Sequence, residues 1–268
     1  MKKIEYQKYH SLSNSFVIIN QENSKLFSTD DAEQICNVNV GIGADGIIFI
    51  EKKKNQEYNL LIQNADGSDG QFSGNGLRCA AAYIFEKESI DQASFHFPKK
   101  NSIFCKRKEN QIFSTFPLSK QEDLPEPTII SINDIQCNGY FIDIGNPHFI
   151  ILTSSQMKYN DYKNSLTQML PIAPNHNISW IQILENNLIF IKTYERGVGF
   201  TQGCSSAILA TLELLHHQKA TSDETINIKN HGGDVEACID EKTETIRLSA
   251  YAELICTGTY YKKLTTKA

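Results

Sequence analysis

Ser73 and Cys204 are the residues whose types and spacing could do chemistry. Each stands at a Gly-rich hinge before a helix-like run, in "NADGSDGQFSGNGLRCAAAYIF" from Asn64 and "YERGVGFTQGCSSAILATLELL" from Tyr194. A serine there is a good N-cap, because its oxygen accepts from the free amides of the first turn. A cysteine caps poorly, but at a helix N-terminus a thiol's pKa is expected to fall from ~8.5 towards neutrality, which makes Cys204 a candidate base. Gly74, Asn75, Ser205 and Ser206 place further backbone N–H groups at the two helix starts, a receptor suited to a carboxylate. Two such ends aimed at one anion would hold it between two side chains on opposite faces.

The elements that must position these residues repeat. A shift of 131 positions (204 minus 73) superposes Ser73 on Cys204 and the two stretches on each other. Upstream, Tyr58, Leu60 and Ile62 fall on Ile189, Ile191 and Thr193, an alternating strand in both copies. Downstream, Leu77, Ala81 and Ile84 fall on Ile208, Leu212 and Leu215, the apolar stripe of an amphipathic helix. Short β-rich runs ("FVIIN", "GIIFIE", "NLLIQ", "YFIDIG", "ISWIQIL") and the helix-like "DDAEQIC" complete an α+β pattern. Two similar domains facing each other across a cleft are the simplest architecture. The patch "PLSKQEDLPEPTII" marks the boundary, giving a first domain of residues 1–117 and a second of 118–251, with 252–268 returning to the first.

Composition narrows the partners. The chain has 268 residues, 26 basic against 31 acidic, and a net charge of -5, without the basic footprint of a nucleic-acid binder. Small-molecule chemistry is expected instead. The start "MKKIEYQKYH" has no apolar segment after its lysines and the longest apolar runs are strand-sized, so a cytoplasmic protein without membrane spans is expected. Seven cysteines show no CxxC or His-rich pairing, so no metal site is expected and most cysteines read as small buried hydrophobes.

Six segments, "KYHSLSNSFVIIN", "GIGADGIIF", "NADGS", "GNGLRCAA", "GNPH" and "YERGVGFTQGC", resemble the signature segments of diaminopimelate epimerase, a cofactor-independent amino-acid racemase family. The likeness runs in order from about residue 6 to the last strands. It implies two pseudo-symmetric domains, each a mixed or antiparallel sheet curled around a central helix, with the active site in the cleft. It also implies an isomerase of lysine and cell-wall precursor synthesis that needs neither pyridoxal nor metal, commonly a homodimer. In such enzymes one thiolate removes the α-proton and a second thiol delivers one to the opposite face.

The resemblance puts those two cysteines at Ser73 and Cys204, and only the second is a thiol. It makes Asn14, Asn64, Asn146, Asn177, Glu195 and Arg196 the residues that hold diaminopimelate, chiefly at its distal end. Gly74, Asn75, Ser205 and Ser206 would receive the reacting carboxylate, and His148 and Glu195 would tune the catalytic thiols. Some positions depart from the family pattern: Ser13 and Ser15 flank Asn14, and Ser205 and Ala207 follow Cys204 where glycines are usual. Ser73 is the serious departure, since a hydroxyl is a feeble base at neutral pH and as an acid leaves a costly alkoxide. Cys79 lies six residues on, about 240° round the helix, and is expected to face elsewhere. An engineered change, a natural variant and a decayed copy all explain a serine there, though the intact remainder argues against advanced decay. The alternatives to an epimerase of diaminopimelate are a related cofactor-free racemase or isomerase with another substrate, and a ligand-binding variant that has lost turnover.

Overall fold

The computed structural model describes residues 1–20, 27–70, 72–98, 102–118, 125–154, 157–184, 187–220 and 225–262. The chain divides into two compact units, one of Met1–Ser114 with Ala250–Ala268 and one of Thr115–Ser249. Part of the linker-like patch, 119–124, lies outside the described residues. Among those described, no helix is long and apolar enough to cross a membrane.

The first unit contains β1 (Lys2–Ser11), β2 (Asn14–Asn20), α1 (Thr29–Cys36), β3 (Gly46–Lys52), β4 (Glu57–Asn64), β5 (Asp69–Gly70), α2 (Gly74–Glu88), β6 (Gln92–His96) and β7 (Ile103–Lys108). The chain leaves it within β8 (Gln111–Pro117). The second unit holds β9 (Thr128–Ile132), β10 (Ile135–Asp143), β11 (Pro147–Thr153), α3 (Tyr159–Met169), β12 (Asn177–Ile183), β13 (Leu188–Glu195), β14 (Gly199–Thr201), α4 (Ser205–His217), β15 (Ile226–Asn230), β16 (Gly233–Asp240) and β17 (Thr245–Ala250). Strand β18 (Glu253–Lys262) belongs to the first unit and pairs with β1.

The two units share a topology. Along β1-β2-β3-β4-β6-β7 the pairings run antiparallel, parallel, antiparallel, parallel, antiparallel. Along β10-β11-β12-β13-β15-β16 they run the same way. Each parallel pair demands a crossover, supplied by α1 between β2 and β3, α2 between β4 and β6, α3 between β11 and β12, and α4 between β13 and β15. Strands β4 and β13 keep the shift of 131 at both ends, 57 to 188 and 64 to 195.

Each sheet has a helix on either side. On one side α1 sets Ala32, Ile35 and Cys36 against Val17, Ile19, Ile47 and Phe49. In the second unit α3 sets Tyr162 and Met169 against Phe149, Ile178 and Trp180, whose indole Nε1 donates to Ser165 Oγ at 2.9 Å. The central helices differ from the expected stripe. Every residue of α2 from Gly74 to Ala82 and of α4 from Ser205 to Leu215 is buried. The sheet curls around the helix and leaves these stretches no solvent side: α2 touches β1, β2, β3, β6, β7 and β18, and α4 touches β10, β11 and β12. Burying each large apolar side chain, such as Leu77 or Leu212, contributes about 1.5–3 kcal/mol, so these helix starts are anchored in the core of each unit.

Candidate active site

Ser73 is the N-cap of α2, with φ -130° and ψ 115°, and its Oγ accepts from the Gly76 N–H at 3.0 Å. The following Gly74 and Asn75 are buried in the first turn. Asn14 reaches the same place from the β1–β2 hairpin, whose two-residue turn, Leu12 and Ser13 at φ 52° and 61°, has the backbone of a type I′ turn. Asn75 Nδ2 donates to Asn14 Oδ1 at 3.4 Å. Ser15 is fixed beside it, its N–H donating to Asp45 Oδ2 at 2.6 Å. Asn64, the last residue of β4, turns into the "NADGS" loop, where its Nδ2 donates to Ser68 Oγ at 2.9 Å. That loop needs Gly67, at φ 75°, because a Cβ there would lie 2.7 Å from the Thr29 backbone.

Cys204 is the N-cap of α4, with φ -125° and ψ 108°, and makes no side-chain cap bond. Its Sγ lies 3.2 Å from Ser206 Oγ, which accepts from Asn146 Nδ2 at 3.4 Å. Ser205 and Ser206 are buried in the first turn. Glu195 closes β13, and its carboxylate accepts a hydrogen bond from the Cys204 thiol. Asn177 opens β12 beside His148 of β11, and its Oδ1 accepts the Arg196 N–H at 3.0 Å. The exposed Arg196 side chain donates from Nη1 to the Asn175 carbonyl at 3.2 Å.

The expected fall in the Cys204 pKa is overturned. Cys204 is 4 % exposed, and burial followed by the Glu195 charge pushes its thiol up, with Ser206 and the Ala207 N–H opposing only in part. Desolvation outweighs the helix end here, so Cys204 rests as a thiol. His148 is fully buried, and neither ring nitrogen has a hydrogen-bond partner among the described residues. Burial, then the neighbouring His176, lowers its pKa to about 3, so its imidazole is neutral. Cys79 points into the core as expected, and burial raises it to about 12.

The first unit therefore gathers Ser73, Gly74, Asn75 and Asn14, with Asn64 on the loop leading to them. The second gathers Cys204, Ser205, Ser206, Asn146, Glu195 and Arg196, with Asn177 on the Arg196 N–H and His148 beside Asn177. Among the described residues no cluster of His, Cys, Asp and Glu could hold a metal ion. Sequence reasoning passed over Arg78, Asp45 and Asn175. Arg78 stood in a motif already singled out, "GNGLRCAA", but nothing local signals that its side chain is buried.

A family model described as diaminopimelate epimerase matches residues 6–111. The diaminopimelate epimerase of Clostridium acetobutylicum is 30% identical over 269 residues, covering 88% of this chain and 78% of the relative. The chain belongs to the diaminopimelate epimerase family. The Bacillus mycoides member is 28% identical over 293 residues, covering 98% of this chain and 99% of its own. Likeness of fold reaches further. A PhzF-family phenazine biosynthesis protein from Enterococcus faecalis matches with a TM-score of 0.71 at 12% identity, over 97% of this chain and all of its own. A hydroxyproline epimerase from Agrobacterium vitis, with bound trans-4-hydroxy-L-proline, matches with 0.65 at 9%, over 97% and 91%. These two carry the two-domain α+β fold of the epimerase family and no more than the fold.

Proposed function

We propose that the protein is an amino-acid epimerase that interconverts LL- and meso-diaminopimelate at the α-carbon without a cofactor, with Ser73 at the first catalytic position and Cys204 at the second. The observation that carries the reading is the Cys204 thiol at the first turn of α4, bonded to the Glu195 carboxylate. Glu195 takes the thiol proton, and the thiolate takes the α-proton. The charge left on the substrate spreads into its carboxylate, which the first-turn amides at Gly74, Asn75, Ser205 and Ser206 stabilise. A proton returned by Cys204 restores the configuration, and one delivered by Ser73 inverts it. By the family resemblance, neutral His148 tunes the thiol. Asn14, Asn64, Asn146, Asn177 and Arg196 hold the distal amino-acid end. The proposal extends to a cytoplasmic homodimer in lysine and cell-wall precursor synthesis.

Arg196 tests the substrate. Its planar guanidinium suits a two-oxygen grip on a carboxylate that a lysine cannot reproduce. In calorimetry Arg196→Lys is expected to lose about 1.5–3 kcal/mol of diaminopimelate affinity. Unchanged affinity would remove Arg196 from the site, and a wild type that binds hydroxyproline in preference would favour a related racemase.

A further inference from the structure

We propose that Arg78 is a positioning residue of the substrate site: it orients the side-chain amides of Asn75 and Asn14 so that Asn14 offers an N–H donor to a carboxylate. This deepens the reading given above and rests on it. Arg78 lies one turn into α2 and is fully buried. Its Nε donates to Ser11 Oγ at 2.8 Å and its Nη2 to Asn75 Oδ1 at 2.5 Å, while Ser11 Oγ donates to the Tyr251 carbonyl at 2.7 Å. Both of these acceptors are neutral. Burial lowers the guanidinium pKa only to about 10, so the charge persists at neutral pH.

A guanidinium has donors and no acceptor, so the atom of Asn75 that faces it must be oxygen. The Asn75 NH2 is thereby turned to Asn14, whose facing atom must in turn be oxygen. That leaves Asn14 Nδ2 as the outward atom, suited to an anionic oxygen and unsuited to an ammonium. One buried cation thus sets the orientation of two amides.

The second unit is the internal control. Position 78 plus 131 is Leu209 of α4, also buried. The fold accepts a plain apolar side chain at this place, and a buried charge is costly. The cation in α2 therefore answers a need that α4 lacks. In α4 the residue matching Asn75 is Ser206, whose hydroxyl meets Cys204 and Asn146 directly and needs no guanidinium to orient it.

The test uses Arg78→Leu and Arg78→Lys in the full chain, each checked for folding by thermal melting. In 15N-labelled protein the side-chain NH2 signals of Asn14 and Asn75, assigned by Asn→Asp substitution, are expected to shift or broaden in Arg78→Leu and to be partly restored in Arg78→Lys. Calorimetry with meso-diaminopimelate is expected to show about a tenfold to hundredfold loss for leucine, the size of a charge-assisted hydrogen bond, and a smaller loss for lysine. Unmoved amide signals in folded Arg78→Leu would overturn the relay, and moved signals with wild-type affinity would overturn its role in binding. Failure of Arg78→Leu to fold would also overturn the proposal, since the cation would then be an architectural requirement. The amide signals need no ligand, so a wild type that binds no diaminopimelate would count against the functional reading and leave the relay to be decided by them.

Discussion

The starts of α2 and α4 have nearly the same backbone, φ and ψ of -130° and 115° at Ser73 against -125° and 108° at Cys204, yet they are wired differently. Ser73 spends its oxygen on the Gly76 amide, and Cys204 caps nothing. The strands leading to them end at equivalent positions in Asn64 and Glu195. Asn64 turns into its own loop, whereas Glu195 bonds the thiol. An N-cap position is therefore only a place. Whether it becomes a structural cap or an acid–base group depends on the atom type and on a second group able to exchange its proton.

Cysteine reactivity probes the thiol half of this comparison. Cys256 is exposed, whereas Cys204 is buried with its pKa raised. Iodoacetamide near neutral pH is expected to modify Cys256 first and Cys204 about a hundredfold more slowly, since each unit of raised pKa removes about a tenfold share of thiolate and burial limits access. Mass-spectrometric mapping checks the order. Early modification of Cys204 would restore the depressed pKa that its position at a helix start suggests.

Acid stability probes the buried histidine of the second unit. His148 has a folded pKa of about 3 against about 6.5 when unfolded. Between those values the unfolded chain binds the extra proton, so stability present above about pH 6.5 is lost as pH falls towards 3. The loss attributable to His148 is about 2 kcal/mol by pH 5. Denaturation midpoints at pH 7 and pH 5 are expected to move further for wild type than for His148→Gln. Equal movement would mean that the imidazole is protonated, or paired, in the folded protein.

The serine half has the smallest expected effect. Ser73→Ala is expected to cost about 1 kcal/mol through the lost cap, seen as a lowered denaturant midpoint. No change would mean that the hydroxyl is free for other work.

Much of this was legible along the chain. The shift of 131 locates β4 with β13 and α2 with α4, because glycine clusters and apolar periods are local signals. The hinge positions of Ser73 and Cys204 are local for the same reason. Depth is not local. The all-round burial of α2 and α4 comes from strands far away in sequence, including β18 around α2. The same depth reverses the pKa expected for Cys204, since a helix end contributes at most about 2 kcal/mol while burial of a charge costs several. Arg78 was invisible as a buried cation because Ser11, one of its partners, is 67 residues away.

The central claim, one working thiol at Cys204 and a nearly inert hydroxyl at Ser73, is tested most directly by following deuterium exchange and inversion together. In D2O the protein is expected to wash deuterium into the α-position of one diaminopimelate stereoisomer, with configuration retained, far faster than it converts LL to meso. Ser73→Cys is expected to raise inversion by about 10²- to 10⁴-fold, the usual contribution of a general acid or base. Mass spectrometry reads the exchange and chiral chromatography the inversion. Inversion as fast as exchange with Ser73 in place, or no gain from the cysteine, would contradict the account.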